Sequence, residues 1–192
     1  LCLGLDEIKE SEGLDRADMK LADNQIELLQ AVQQANPNTV VVLSAGASLE
    51  TPWLTHCKAL VYGALGGQAG AGAMVDVLTG KVNPSGSLVD TYCYDNLSAP
   101  AMWNFTPTTY EGYVEGGDVS AKAKSYMIYQ EGIYVGYKYY ETRYEDFVTG
   151  NGNAGDYAYG DIVAYPFGYG MSYTNFDISD MNVSYNAADD TY

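Results

Sequence analysis

Residues 39–43 read Thr-Val-Val-Val-Leu, and this run predicts a buried β-strand. An uninterrupted series of β-branched and aliphatic residues is typical of a strand that is covered on both faces of a parallel sheet. Asn-Pro-Asn at residues 36–38 ends a preceding helix, because proline cannot continue one. Asp23 and Asn24 are candidate caps for that helix. Its apolar residues recur at helical spacing: Ile26, Leu29 and Val32.

Strands and helices alternate on both sides of this run. Residues 1–5 and 59–64 are apolar and predict two further strands, while residues 53–57 and 71–78 predict short helices. Gly80 follows the second of these helices as its predicted C-cap. Strands that alternate with helices across short links are typical of the α/β class. We therefore expect a mainly parallel sheet with helices on both faces.

The second half of the chain has a different character. Residues 83–86, Asn-Pro-Ser-Gly, predict a turn in which proline sets φ and Gly86 takes a positive φ. Beyond them helical periodicity fades, and 16 of the 19 tyrosines lie at or after residue 110. Tyrosine combines an apolar ring with a polar tip, which suits half-buried loops and sugar-facing surfaces. Long tyrosine-rich loops are expected here, either packed on the α/β body or facing a carbohydrate.

Two later segments, at residues 150–155 and from residue 175 onward, also carry a recognisable pattern. Residues 150–155, rich in glycine and asparagine, predict a flexible turn. From residue 175 onward apolar residues alternate with polar ones, which predicts the first strands of a new β-domain. The alternating residues are Phe176, Ile178, Met181, Val183 and Tyr185.

Composition excludes several classes of protein. The chain has 192 residues and a formal charge of −16, so it lacks the basic surface that nucleic acids or anionic membranes require. At 47% hydrophobic and 18% charged residues it has enough apolar material for a core and is not disordered. The uncharged segment 59–75 is crowded with glycine and too polar for a membrane span. The acidity suits a secreted protein slightly better than a bacterial cytoplasmic one.

Metal and thiol chemistry is not indicated. Cys2, Cys57 and Cys93 lack CxxC spacing, so we expect buried free thiols rather than a disulfide framework or a zinc site. His56 is the single histidine, which disfavours a histidine metal site and a Ser-His-Asp triad. Residues 66–70, Gly-Gly-Gln-Ala-Gly, lead into a helix but lack the P-loop and GxGxxG patterns. They favour close helix packing over phosphate binding, and no cofactor is expected.

Residues 10–16, Glu-Ser-Glu-Gly-Leu-Asp-Arg, form the candidate catalytic loop. They follow the first predicted strand, and ligands of open α/β sheets bind beyond the carboxyl ends of strands. Glu10 or Glu12 is a candidate general acid if burial under another domain raises its pKa. Asp15 and Arg16 are candidate anchors for the loop. On local grounds alone, an ordinary acidic surface loop remains the alternative.

The order of six motifs resembles the C-terminal part of glycoside hydrolase family 3, the β-glucosidase and β-xylosidase family. The resemblance covers most of the chain. The motifs are EGLDR at 12–16, GQAG at 67–70, DVLTG at 76–80, NPSGSL at 83–88, EGIYVGYKYY at 131–140 and YPFGYGMSYT at 165–174.

This resemblance implies a domain division and a mechanism. Residues 1–174 would be the α/β sandwich domain without its opening strands, and residues 175–192 the start of a fibronectin type III-like domain. The family uses two carboxylates about 5 Å apart in a retaining mechanism, with an aspartate nucleophile on a (β/α)₈-like barrel. Glu12 matches the acid/base, with Glu10 as the runner-up. Asp15 and Arg16 match the same motif and would support the loop.

The expected function is therefore that of a fragment of a retaining exo-acting β-glycosidase, partnered by β-linked glycosides and by the barrel of the same enzyme. The barrel is absent from this sequence, so the isolated chain is expected to be inactive. Two alternatives remain: a non-catalytic carbohydrate-binding or scaffolding module, and a flavodoxin-like nucleotide or signalling domain. Neither the sugar that is cleaved nor the oligomeric state follows from these residues.

Overall fold

The structure, a computed structural model, describes residues 1–113, 124–152 and 155–190. Its strands are β1 Cys2–Gly4, β2 Val40–Ser44, β3 Ala59–Tyr62, β4 Tyr92–Cys93, β5 Thr108–Thr109, β6 Ser125–Tyr126 and β7 Val163–Tyr165. Its α-helices are α1 Asp23–Ala35, α2 Gly70–Leu78, α3 Pro100–Trp103, α4 Tyr137–Thr149 and α5 Tyr159–Ile162. Short 3₁₀ helices lie at Pro52–His56 and Asn96–Ser98.

A parallel sheet in the order β1-β2-β3 organises the first half. Leu3 pairs with Leu43 in register, and Leu43 pairs with Tyr62. Helix α1 connects β1 to β2, and the first 3₁₀ helix connects β2 to β3. The predicted class is confirmed: a mixed α/β fold with a parallel sheet and helices.

The main core lies on one face of this sheet. Leu29 of α1, Val41 and Leu43 are fully buried there, and Trp53 of the first 3₁₀ helix is 2% exposed. On the opposite face Cys2, Ser44 and Ala59 are exposed, while Val42 is buried. The sequence predicts that other elements cover both faces of the sheet at residues 39–43. Within the described residues, one face is fully covered and the other only in part.

The N-cap of α1 and the C-cap of α2 differ from prediction by one residue each. The N-cap of α1 is Ala22 without a side-chain cap, and Asp23 lies inside the first turn, where its charge complements the helix dipole. The helix ends at Asn36, as predicted. The C-cap of α2 is Thr79, and Gly80 is the next residue, with φ of 74°. Glycine is favoured there because it adopts positive φ without steric cost.

The turn predicted at 83–86 is wrong. This segment runs without a turn, and Gly86 is not among the glycines with positive φ. Its neighbour Leu88 exchanges backbone hydrogen bonds with the chain at residues 168–169, and Asn83 Oδ1 accepts from Tyr173 N at 2.9 Å. A Cβ on Gly170 would lie 2.4 Å from the Gly86 carbonyl oxygen. Pairing with this distant segment therefore determines the local conformation.

A second core joins the later elements. Strands β4 and β7 pair antiparallel, and Cys93, Ala99, Tyr140 and Val163 are buried together. Thr51, on the first half, donates both its N–H and its hydroxyl to the Cys93 carbonyl oxygen. Backbone contacts therefore connect the two cores.

Many tyrosine rings of the second half contact other aromatic rings of the same half. Ring pairs with centroids 4.2–6.4 Å apart recur through the second half of the described chain. Of these rings, those of Tyr140 and Tyr157 are buried. Ring–ring contact thus engages many of these tyrosines, while others, such as Tyr129 and Tyr173, are exposed.

The cysteines are free, as predicted, but they are not uniformly buried. Cys2 is exposed, Cys57 is half-buried and Cys93 is buried. Burial raises the pKa of the Cys57 and Cys93 thiols, so neither is a thiolate nucleophile at neutral pH. Within the described residues, no group of three or more His, Cys, Asp or Glu side chains is placed to hold a metal ion.

Residues 175–185 do not form the predicted strands in the structure, and an isolated bridge at residue 186 is the only strand-type pairing in 175–190. The alternating apolar residues are exposed, Ile178 at 99% and Met181 at 87%. A strand needs a partner for its backbone groups, and the described residues provide none here. The separate domain at 175–192 stays a prediction, and residues 191–192 lie outside the described part.

The sequence predicts a flexible turn at residues 150–155 and no membrane span at residues 59–75. Gly150 is the left-handed C-cap of α4, with φ of 68°, and residues 153–154 lie outside the described residues. None of the helices in the described part of the chain combines the length and apolar character that a membrane crossing requires.

Gly4→Ala is expected to destabilise the protein by roughly 1–3 kcal/mol, the usual cost of an overpacked core position. A Cβ at residue 4 would lie 2.3 Å from the Ser44 backbone oxygen, so the β1–β2 pairing must shift. Gly72→Ala in α2 is the matched control, because nothing lies within 4 Å of its Cβ position and alanine favours the helix. Denaturant unfolding measures both variants, and an equal effect of the two would contradict this packing argument.

Candidate functional site

The candidate loop begins at the carboxyl end of β1, as the sequence predicts. Leu5 N donates to the Ser44 carbonyl oxygen at 3.1 Å, which keeps the chain beside β2 as it leaves the sheet. The side chain of Gln25 bonds both backbone groups of Gly4, accepting from N at 3.0 Å and donating to O at 2.8 Å. Helix α1 thereby positions the start of the loop.

Two contacts within the loop give it a defined shape. Asp6 Oδ1 accepts from the backbone amides of Ile8 and Lys9 at 3.1 and 3.0 Å, which forms a local turn. Lys9 Nζ then contacts both carboxylate oxygens of Asp18, at 2.9 and 3.0 Å. The hydrogen bond from Lys9 holds the pKa of Asp18 below its ordinary value. This ion pair joins the two limbs of the loop, with residues 10–17 between them.

Glu10 connects the loop to the rest of the sheet edge. Its Oε1 accepts from the backbone amide of Gly46 at 2.6 Å, just beyond the end of β2. A Cβ on Gly46 would lie 3.1 Å from Leu65, which follows β3. The loops after three parallel strands therefore meet around this half-buried carboxylate.

Glu12 lies in the free part of the loop. It is exposed, in a turn with Gly13 at φ of 76°. In the part of the chain that the structure describes, no hydrogen bond or ion pair engages its carboxylate. Its side chain is thus available to a group outside the described residues, while the contacts on either side restrict the backbone that carries it.

Asp15 and Arg16, the predicted anchors, behave differently from each other. Arg16 is half-buried and places Nη2 3.0 Å from Met19 Sδ, whereas Asp15 is exposed and makes no ion pair among the described residues. The loop is instead closed by Lys9 and Asp18, a pair that sequence reasoning missed. A spacing of nine residues between opposite charges is too common to be a useful signal.

The glycine segment at 66–70 is explained by packing. Gly67 has φ of 63°, and a Cβ on Gly66 would lie 2.9 Å from Gly70 Cα, so the turn tightens directly into α2. At Gly63, a Cβ would meet Met74 of α2 at 3.3 Å. Close approach between backbone segments therefore explains these glycines, and a phosphate-binding role is not needed to explain them.

A family model described as the glycosyl hydrolase family 3 C-terminal domain matches residues 1–137. The chain belongs to glycoside hydrolase family 3. The candidate loop, β1, β2, β3 and α2 all lie within the matched residues.

Family 3 relatives match over nearly the whole chain but extend far beyond it. The chain is 38% identical to thermostable beta-glucosidase B of Acetivibrio thermocellus, covering 94% of this chain and 20% of that protein. It is 37% identical to an exo-alpha-(1->6)-L-arabinopyranosidase of Bifidobacterium longum, covering 97% of this chain and 21% of that protein. The family 3 beta-glucosidase of Bifidobacterium adolescentis superimposes with a TM-score of 0.70 at 37% identity, covering 97% of this chain and 23% of that one. The chain thus spans about a fifth of these relatives' length.

Proposed function

We propose that this chain supplies the acid/base carboxylate, Glu12, of a retaining exo-acting β-glycosidase whose aspartate nucleophile lies on a barrel domain outside these residues. The observation that supports this most directly is the construction of the loop. Glu10–Gly46 and Lys9–Asp18 anchor the chain around Glu12, while the Glu12 carboxylate is exposed and unengaged in the described residues. A general acid needs a positioned backbone and a carboxyl group that can reach the substrate.

Glu12 has a role in both steps of this mechanism. In the first step the protonated carboxyl donates its proton to the glycosidic oxygen as the C–O bond breaks, and the nucleophile forms the glycosyl ester. In the second step the Glu12 carboxylate takes a proton from water, whose oxygen attacks the anomeric carbon and releases the sugar. Docking of the barrel over the loop would exclude water from around Glu12 and bring its carboxyl group to the glycosidic oxygen.

The identity of the sugar is not part of this proposal. Relatives of nearly equal identity carry different names, a beta-glucosidase and an exo-alpha-(1->6)-L-arabinopyranosidase. Similarity in this domain therefore does not distinguish among sugars, as expected if residues elsewhere bind the non-reducing ring.

The 192-residue chain alone should not hydrolyse glycosides, because a retaining mechanism requires the nucleophile carboxylate as well as the acid/base carboxylate. The purified chain is expected to leave aryl and alkyl β-glycosides intact, whereas the complete enzyme hydrolyses them. Turnover by the pure chain, abolished by Glu12→Gln, would contradict the division of the two carboxylates between domains. The leaving-group dependence of the Glu12→Gln variant of the complete enzyme tests the role of Glu12 itself.

A further inference from the structure

A cavity in the second half of the chain has no role in the mechanism above. It has a volume of about 620 Å³ and lies between α3, the segment before α4 and α4 itself. This volume is within the roughly 300–1,000 Å³ of small-molecule sites. None of the loop residues 5–20 lines it. Its lining includes Trp103, Asn104, Gln130, Tyr134, Arg143 and Asp146.

Trp103 forms an exposed aromatic wall in a fixed orientation. Its side chain is one of the largest exposed apolar groups of the described chain, with the residue 71% exposed. Its indole Nε1 nevertheless donates to the Leu97 carbonyl oxygen at 2.8 Å. This hydrogen bond, rather than burial, orients the ring. Tyr134, also in the lining, is 47% exposed and adds a second aromatic surface.

The polar walls are coupled to each other and carry one unsatisfied atom. Asn104 Nδ2 donates to Gln130 Oε1 at 3.0 Å, which joins the segment after α3 to the segment before α4. Each amide retains donor or acceptor capacity beyond this bond. Glu131 Oε2 is buried and has no hydrogen-bond partner among the described residues. This oxygen has almost no accessible surface, so a ligand in the cavity could bond to it only after the Glu131 side chain rotates.

Arg143 contributes a rigid donor to the same cavity. Its guanidinium carbon lies 4.9 Å from the Tyr157 ring centroid and 5.9 Å from that of Tyr139. Its Nη1 also donates to Tyr139 Oη at 2.9 Å. Planar contacts of this kind restrict the guanidinium before any ligand arrives, so less entropy is lost on binding.

These features define the class of ligand. Arg143 against Glu131 and Asp146 leaves the lining with a net formal charge of −1, and this charge and the chain's charge of −16 both disfavour an anion. Amide, carboxylate and guanidinium groups hydrogen-bond to hydroxyls, and an aromatic face packs on the C–H face of a sugar ring. We propose that this cavity is a binding site for a neutral oligosaccharide, with Trp103 as its stacking platform. The choice of a β-linked oligosaccharide as the probe rests on the proposed function, whereas the cavity and its chemistry do not depend on Glu12.

Calorimetric titration of the complete enzyme with sulfur-linked cellotetraose, which glycosidases do not cleave, tests this site. Two binding events are expected in the wild type, one at the active site and one at the cavity. Trp103→Ala and Tyr134→Ala are each expected to weaken the cavity event at least about tenfold, as loss of a stacking residue does at a binding hot spot. Glu12→Gln is expected to keep the cavity event, so a failure of the proposed mechanism is distinguishable from a failure of this site.

Phe105→Ala is the matched control for Trp103→Ala. Phe105 lies two residues away, is 45% exposed and does not line the cavity, so this variant should retain both events. Thermal unfolding identifies any variant that fails to fold, and Tyr134→Ala decides the result if Trp103→Ala is one of these. A single binding event in the wild type overturns the proposal. So does a second event that both cavity variants leave unchanged.

Discussion

Glu12→Gln in the complete enzyme is expected to lower kcat/KM by roughly 10²–10⁴-fold for glycosides with poor leaving groups, the range that general acid catalysis supplies. Alkyl glycosides and oligosaccharides need a proton on the departing oxygen, and glutamine has none to donate at neutral pH. Aryl glycosides with activated leaving groups depart as stable anions, so their first step should be slowed far less. The effect is therefore a steep dependence of rate on the pKa of the leaving group.

Glu7→Gln provides the control for this experiment. Glu7 is an exposed carboxylate of the same loop, and within the described residues its carboxylate makes no hydrogen bond or ion pair, while its carbonyl oxygen accepts from Ser11 Oγ. The substitution removes one negative charge from the same loop without touching the proposed acid/base, so it should leave both substrate classes at wild-type rates. If Glu12→Gln behaves like Glu7→Gln, Glu12 is not the acid/base.

Glu10→Ala is expected to lower kcat/KM by about 10- to 100-fold for poor leaving groups, the scale of a small displacement of a reacting group. Its carboxylate accepts the Gly46 amide hydrogen at 2.6 Å, and this contact ties the loop to the sheet edge. If Glu12 is the acid/base, as proposed, loss of this contact should leave it less well positioned at the glycosidic oxygen. The loss should appear mainly in kcat, because the sugar contacts made elsewhere are unaffected.

Glu10→Gln separates a positioning role from a catalytic one. A glutamine side-chain carbonyl also accepts a backbone N–H, so this variant should keep the contact with Gly46 and most of the activity. If Glu10 is the acid/base instead, Glu10→Gln should be as damaging as Glu10→Ala. A severe loss in Glu10→Gln together with near-normal activity in Glu12→Gln would exchange the proposed roles of the two residues.

The parallel sheet was predictable because its strands are marked by local sequence. The apolar runs at 1–5, 39–43 and 59–64 all correspond to strands, and proline near the end of α1 marked a helix boundary. The conformation of residues 83–86, where the sequence wrongly predicted a turn, was not predictable, because it depends on residues 168–173, more than 80 positions later. The turn preferences of proline and glycine describe only neighbouring residues, so they cannot account for pairing with a distant segment.

At the candidate site, too, the sequence predicted where the loop lies but not the contacts that hold it. The position of residues 10–16 beyond β1 followed from the order of the elements, and their motif led to Glu12. The contacts that hold the loop did not follow, since Glu10 bonds a residue 36 positions away and Lys9 bonds Asp18 across the loop. The cavity at Trp103 was also missed. Its walls come from segments that lie about 30 residues apart and are joined by the Asn104–Gln130 hydrogen bond.

By itself, the sequence determined the α/β class, the position of the candidate loop after the first strand, and the family. Hydrophobic periodicity and motif order, on which these predictions rest, are properties of neighbouring residues. Only the tertiary structure decided which carboxylate is anchored and which is free, and which aromatic rings pack and which face a cavity. These distinctions depend on contacts between residues far apart in the chain, whose geometry arises when the sheet and its loops assemble.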